Sequence, residues 1–415
     1  MPQLMSPNSN LDSDFAVFKG LAPKMAVVFV GFLIAGMAMP VLPLHVHNDL
    51  GFGNIVVGLV AGTQFGASFL TRLWSGSYAD RRGPKRAVVL GLCTAVVAGV
   101  FYLASTFFLD QRNLSAVILL IGRALLGGAE SLILTGSVAW GLATAGPGNA
   151  GKVIAWVGTA MFGALAAGAP VGTALYSAMG FSAIATATVV LPVVTALIIA
   201  PLASVPGRAT SAGSRGRVIR AVWLPGLGAG FSSVGYAAIV TFSVLLFASR
   251  QWPNPWLAVT CFAAALVTAR ILLGHLPDRL GGGLTALVFV CVEVVGLILI
   301  WIAPQPIIGM IGAATVGIGY SLVFPGFGIA VVGAAPPENR GMAMGLYSAF
   351  LDLALALSGP LLGLVGNAAG LPAIFLVSAT IVLCAAPIAF WTLRHEGIKS
   401  AYSAQTSRDG ERIDR

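Results

Sequence analysis

The sequence predicts an all-α membrane protein of twelve transmembrane helices, arranged as two six-helix pseudo-repeat bundles. Three observations carry the prediction. The first is composition: 57% of the 415 residues are hydrophobic and 9% are charged, against roughly 45–50% and about 25% in soluble globular chains. So little polar surface cannot cover a water-exposed globule of this length, so the bulk solvent must be lipid. The second is spacing. Apolar runs of bilayer-crossing length, about 20 residues, recur along the whole chain. The third is charge: lysine and arginine collect in alternate connections between those runs.

The runs lie at 25–46, 54–75, 86–108, 114–141, 151–178, 181–202, 221–248, 256–275, 284–303, 306–333, 341–367 and 371–393. The breaks between them, such as "NDLGFG", "LDQRN", "TAGPGNAG", "SRQWPNP" and "APPENR", hold the glycine, proline, asparagine and charge that punctuate helices. None can hold a soluble domain. The longest, 203–220, is a Ser/Gly/Arg-rich linker halfway along the chain. It separates an N-terminal bundle (1–202) from a C-terminal bundle (221–393), which a tail at 394–415 follows. The first run follows a polar leader and lacks a small-x-small cleavage site, so it reads as a retained helix rather than a signal peptide.

With the N-terminus placed in the cytoplasm, the inner segments hold Lys19, Lys24, Arg81, Arg82, Lys85, Arg86, Lys152, Arg208, Arg215, Arg217, Arg220, Arg279, Arg340 and the basic tail. The outer ones hold Arg112 and Arg250. This bias predicts cytoplasmic termini and an inner-membrane, multi-pass protein. It also accounts for the formal net charge of +9 without a nucleic-acid partner. Cys93, Cys261, Cys291 and Cys384 lie apart in apolar runs with no CxxC spacing. They read as small packing residues, and no metal or cofactor is expected. His45 and His47 sit two residues apart, so they do not share a helix face and read as part of an interfacial loop.

The halves repeat. "TRLWSGSYADRRGPK" and "ARILLGHLPDRLGGG" share Arg72, Gly76, Asp80, Arg81 and Gly83 with Arg270, Gly274, Asp278, Arg279 and Gly281, all at an offset of 198 residues. A weaker echo relates "GAPVG" in the fifth run to "SGPLLG" in the eleventh, through Gly168, Pro170, Gly172, Gly359 and Pro360. Two six-helix halves in parallel register joined by a linker are a transporter architecture.

"GSYADRRGPKR" resembles the loop motif G-x-x-x-D-R/K-x-G-x-R/K-R/K of the major facilitator superfamily, matching at Gly76, Asp80, Arg81, Gly83, Lys85 and Arg86. "RALLGG" from Arg123 is similar to the helix 4 arginine motif of its proton-coupled members. "GALAAGAPVG" resembles the helix 5 motif of its exporters, departing from it at Ala169 and Thr173. The overall look is nearest to bacterial drug- or sugar-efflux-type members. The resemblance implies a cavity lined by helices 1, 4, 7 and 10, a helix 4 arginine near the proton-coupling site, and a gating contact from Asp80 to the start of helix 11.

Ionisable side chains inside a membrane cost about 2.5–3.5 kcal/mol each on insertion scales and face cavities or partners. Arg123 and Glu130 are two turns apart on one helix face, about 10 Å along the axis, so each needs a partner on another helix or water. They are the candidate substrate-binding and proton-relay pair, against a structural pair of interhelical bridges. Asp352 lies near mid-membrane in the eleventh run and is a candidate coupling acid. Glu293, mid-way along the ninth run, joins this set, though a buried structural acid paired with a neighbouring helix is its leading reading. Asp278 and Arg279 form a second gate with Gly274, lacking the trailing cations of the first. Gln64, Trp156, Tyr236 and Tyr320 are candidate substrate contacts, polar or amphipathic tips on apolar helices. Gly158, Gly163, Gly168, Pro170 and Gly172 in the fifth run, like Gly317, Gly319, Pro325, Gly326 and Gly328 in the tenth, are expected to permit close packing and bending.

The function expected is secondary active transport by alternating access, as proton-coupled efflux of a small organic molecule by a monomer. The alternative is proton-coupled import of a sugar or organic acid. A non-transporting receptor is disfavoured by the repeated gating motif. No H-E-x-x-H cluster or phosphate-binding G-x-x-x-x-G-K-[ST] loop supports an enzyme or a primary pump.

Overall fold

The computed structural model describes residues 7–145, 150–206, 215–335 and 340–395. Every long element in it is a helix: α1 (Pro7–Leu44), α2 (Asn54–Arg82), α3 (Pro84–Thr106), α4 (Arg112–Ala145), α5 (Ala150–Met179), α6 (Phe181–Ile199), α7 (Arg215–Ser249), α8 (Leu257–Leu273), α9 (Leu276–Leu280), α10 (Gly282–Ile302), α11 (Pro306–Ala334), α12 (Arg340–Ala369) and α13 (Leu371–Leu383). The last helical span continues past Cys384 to His395. Among the described residues, eleven helices are long and apolar enough to cross a bilayer, and α8 is a shorter apolar helix. Together they are the twelve expected spans, with α8 as the eighth and the short α9 following it. Leu70, Phe107, Leu197 and Ile271 stand largely exposed, an apolar outer wall suited to lipid.

The helices overrun the apolar runs because backbone hydrogen bonding does not stop where hydrocarbon does. The leader is helical from Pro7. α2 carries Gly76–Arg82 as helix, so half of the expected loop motif is the last turns of α2, with Arg81 and Arg82 complementing its C-terminal dipole. α7 begins at Arg215, inside the expected linker. Residues 207–214 of that linker and 396–415 of the tail lie outside the described residues, as does the connection 336–339 before α12.

The chain divides into two compact units. The first takes residues 1–51 and 63–211, and the second takes 52–62 and 212–415. In the first, α1 packs on α4 and α5, and α3 packs on α4 and α6. In the second, α7 packs on α11 and α12, and α10 packs on α11 and α13. These are the same pairs, so the duplication read in the loops extends to the packing. The start of α2 belongs to the second unit. There a Cβ on Gly58 would stand 2.0 Å from the Gly359 carbonyl, and one on Gly62 2.5 Å from that of Ala356. Asn54 donates its backbone N–H to Asn367 Oδ1 at 3.2 Å.

Tight glycine approaches replace the hydrophobic effect as the organising device between membrane helices. A Cβ on Gly168 would lie 2.7 Å from Gly36, and one on Gly172 2.2 Å from the Met37 carbonyl, so at these two positions α5 and α1 approach closely. At Gly158 and Gly163 a Cβ would meet nothing within 4 Å, so neither position makes a comparable approach. Pro170 and Pro360 lie inside α5 and α12, and Gly359 and Pro360 meet Gly58. In α11, Gly317, Gly319 and Gly326 press on α8 and α10, while Gly328 makes only ordinary contacts. The cysteines are free thiols. Cys93, Cys291 and Cys384 are exposed rather than packed inside, and Cys261 is half-buried, since a thiol is apolar enough to face lipid.

Candidate functional site

The two motif copies turn the chain in the same way. Gly83 has φ 96° and ψ 142°, and Gly281 has φ 85° and ψ 155°. Each caps the helix that follows at a φ that L side chains rarely adopt, which is why the repeat keeps glycine there. Beyond that the copies differ. α2 runs unbroken through Gly76, where a Cβ would meet nothing. The second copy breaks at Gly274, so that Asp278 and Arg279 sit in the five-residue α9, both exposed. Asp80 is half-buried, while Arg81 and Arg86 are exposed. Lys85 Nζ donates to the Ala200 and Leu202 carbonyls at 2.7 and 2.5 Å, closing the C-terminal end of α6. Motif arithmetic had no signal for that contact.

In the first unit, Arg123 and Glu130 are buried on α4 and each finds a partner on another helix. Gln64 Nε2 on α2 donates to Glu130 Oε1 at 2.6 Å. Arg123 donates to the Tyr102 hydroxyl on α3 at 3.3 Å. The Gln64 Oε1 atom is buried with no hydrogen-bond partner among the described residues. The approach is set by Gly127, whose Cβ would stand 1.9 Å from the Gln64 carbonyl. One turn on, Ser131 and Ser75 join the same two helices, Oγ to Oγ, at 3.1 Å. Trp156 on α5 is 41% exposed, apart from the buried group.

The second unit builds its counterpart differently. Gly317 on α11 would bring a Cβ to 2.2 Å from the Phe262 carbonyl on α8. Phe262 stands where Gln64 stands in the first half, and Tyr320 where Glu130 stands. Tyr236, Tyr320 and Phe262 form an aromatic cluster, with ring centroids 5.2, 5.5 and 6.4 Å apart. The Tyr320 hydroxyl is hydrogen-bonded to Ser233 and lies within electrostatic reach of Arg270, Asp352 and Glu293. Arg270 donates to the Ser321 carbonyl at 3.0 Å. Asp352 is buried on α12. Glu293, fully buried on α10, accepts from Ser232 at 2.5 Å.

His45, read from the sequence as part of an interfacial loop, lies in a helical turn. Its side chain is buried, within a π-helical turn at His45–Asp49. Its Nδ1 lies 2.7 Å from Asp49 Oδ2, which also accepts from the Tyr176 hydroxyl at 2.9 Å. Its ring stacks on Phe181, 4.2 Å between centroids. The i, i+4 spacing of His45 and Asp49 was the available signal.

The sequence model of the Major Facilitator Superfamily matches residues 25–257 and 251–409. An uncharacterised MFS-type transporter of Salmonella typhimurium is 38% identical over 89% of this chain and 95% of its own length. Another, of Burkholderia pseudomallei, is 38% identical over 92% and 94%. Among solved structures, an inward-facing, unoccupied bacterial homolog of the human lysosomal transporter Spinster superposes with a TM-score of 0.75 at 14% identity, covering 91% of this chain and 97% of that one. The nucleoside transporter NupG does so with a TM-score of 0.70 at 13% identity, covering 90% and 99%.

Proposed function

The chain belongs to the major facilitator superfamily, a family of membrane transporters rather than enzymes, and from that premise we propose that it exports a small organic molecule in exchange for protons. The observation that carries the proposal is the buried Gln64–Glu130 hydrogen bond, with Arg123 buried on the same helix. An acid and a base kept within spanning helices are costly and mark ion or substrate pathways. Glu130 takes up the proton, Arg123 stabilises its ionised form, and the spare acceptor of Gln64 meets the substrate. Asp352 and the Tyr236–Tyr320 cluster supply the second unit's polar and aromatic contacts. Asp80, Arg81 and Gly83 form the gate on the cytoplasmic side, where both termini lie, and a monomer in the inner membrane suffices.

The test is transport by purified protein in liposomes under an imposed pH gradient, with ethidium, fluorescein, a radiolabelled nucleoside and a radiolabelled hexose as probes. Movement of at least one probe against its own gradient, driven by and dissipating the proton gradient, is expected. In the same liposomes Asp80→Asn slows turnover while probe binding persists. Transport of probes with complete indifference to the gradient removes proton coupling, and unchanged turnover of Asp80→Asn removes the gate. Accumulation in the direction of proton flow would favour the importer.

A further inference from the structure

Glu293 is the most deeply buried carboxyl in the described chain, with no exposed surface at all. It lies where three helices of the second unit meet, and both of its neighbours yield backbone to it. On α7, a Cβ at Gly235 would stand 2.4 Å from Glu293 Oε1. On α11, a Cβ at Gly319 would stand 2.5 Å from the Glu293 amide nitrogen. Glycine at both positions is what admits the side chain, and any larger residue would expel it.

The carboxyl is not paired with a cation. Its contacts are one hydroxyl, Ser232 Oγ donating to Oε2 at 2.5 Å, and nothing on Oε1, which is buried without a partner among the described residues. On the facing helices, α13 carries no ionisable residue from Leu371 to Leu383. α9 offers Asp278 and Arg279, both exposed. α7 offers Tyr236 and, twelve residues before Ser232, exposed Arg220, about 18 Å away along the helix. α11 offers Tyr320, the titratable group in electrostatic reach. An ionised carboxylate so placed would be a buried charge with a single donor, which burial strongly disfavours. Oε1 is the oxygen left without a donor, against Gly235.

Resting on the proton-coupled reading above, we infer that Glu293 binds and releases an exchangeable proton during transport, linked to the substrate-facing side through the adjacent serines of α7. Ser232 holds the carboxyl, and Ser233, its neighbour in sequence, holds the Tyr320 hydroxyl. Release leaves a carboxylate whose Oε1 needs a donor, and Gly235 leaves no room for one while α7 stays seated. Ionisation therefore favours an arrangement in which α7 shifts from α10 and water reaches the acid. That difference between two packings is what lets a proton bias a conformational equilibrium.

The experiment is labelling of the reconstituted protein with dicyclohexylcarbodiimide, which reacts with protonated carboxyls in apolar surroundings, read peptide by peptide by mass spectrometry. Labelling at Glu293 is expected at about pH 5 and falls at least about tenfold by about pH 9, a range over which a titrating carboxyl changes state. Ser232→Ala, which keeps the acid, shifts the pH of half-labelling. Labelling that is absent at every pH, or constant across the range, overturns the inference. In the liposome assay Glu293→Gln, which preserves size and the serine bond, is expected to cut gradient-driven transport at least about tenfold while unenergised probe exchange stays within about twofold. Gradient-driven transport by Glu293→Gln equal to wild type, with the same proton stoichiometry, also overturns it. A wild-type protein indifferent to the gradient whose Glu293 still titrates sinks the transport reading instead, so the two failures are distinguishable.

Discussion

The two halves of this chain share one scaffold and fill it with opposite chemistry. In the first unit α4 meets α2 at Gly127, and the residues flanking that approach are an amide and a carboxyl, Gln64 and Glu130, 2.6 Å apart. In the second, α11 meets α8 at Gly317, and the same two positions are aromatic, Phe262 and Tyr320. The second half carries its buried acids elsewhere, as Asp352 on α12 and as Glu293 on α10, the latter at the position that Ala95 occupies in α3 at the offset of 198. The backbone crossing is thus the duplicated feature, and the polar groups are what each copy varied. The glycines persist because a backbone approach tolerates no side chain. The flanking side chains diverged because the crossing holds without them.

The largest effects test that division. Gly127→Leu and Gly317→Leu put carbon where a facing carbonyl stands 1.9 or 2.2 Å away. No rotamer relieves a clash with backbone, so the cost exceeds the about 1–3 kcal/mol typical of overpacking. Both variants are expected to lose most monodisperse protein in detergent. Gly163→Leu, placed in open space, is expected to melt like wild type. A Gly127→Leu protein with the wild-type melting midpoint would show that the crossing is not what holds the unit together.

A smaller effect separates the flanking groups. Glu130→Gln keeps a hydrogen-bonding partner for Gln64 and removes the titrating proton. It is expected to lower gradient-driven transport at least about tenfold with little change in melting. Tyr320→Phe removes one hydroxyl bond, worth about 1 kcal/mol, and is expected to lower transport only a few-fold. Equal losses in the two variants would break the comparison, since the halves would then contribute the same chemistry.

Most of the scaffold was legible in the sequence because burial in lipid imposes a coarse rule: every span must be apolar for about 20 residues. Twelve runs follow from that rule with no knowledge of contacts, and the alternating charge bias from the excess of lysine and arginine in cytoplasmic loops. Helix ends were not legible, since α2 keeps hydrogen-bonding through Arg82, beyond its apolar run. Arg123, Glu130, Asp352 and Glu293 stood out because charge inside an apolar run is conspicuous. Of their partners, Gln64 stood out as a polar tip on an apolar helix, though not as the partner of Glu130, while Ser232 and Tyr102 did not, because they are ordinary residues whose importance is set by which helices meet. Nor did composition separate Gly163, where a Cβ would meet nothing, from Gly172, where one would meet Met37. Only the helix face distinguishes them.

The smallest expected effect lies at the two loops, where the second copy lacks the trailing cations of the first. The structure supplies a reason. Lys85 reaches the carbonyls of Ala200 and Leu202 at the end of α6, satisfying acceptors a helix C-terminus leaves open. Its counterpart at offset 198 is Gly283, whose Cβ would stand 2.4 Å from the Leu393 nitrogen on the last span. One copy joins its third and sixth helices by a long cation, the other by direct backbone approach. Lys85→Met therefore costs about 0.5–1.5 kcal/mol through the lost hydrogen bonds, a fall in melting midpoint of about 1–3 °C, and Lys85→Arg restores most of it. Gly283→Ala costs more, because alanine cannot retract as a lysine can. Differential scanning fluorimetry of the three variants decides it. If Lys85→Met melts like wild type while its transport falls, the lysine serves the gate rather than the helix end, and the two loops differ in function and not only in packing.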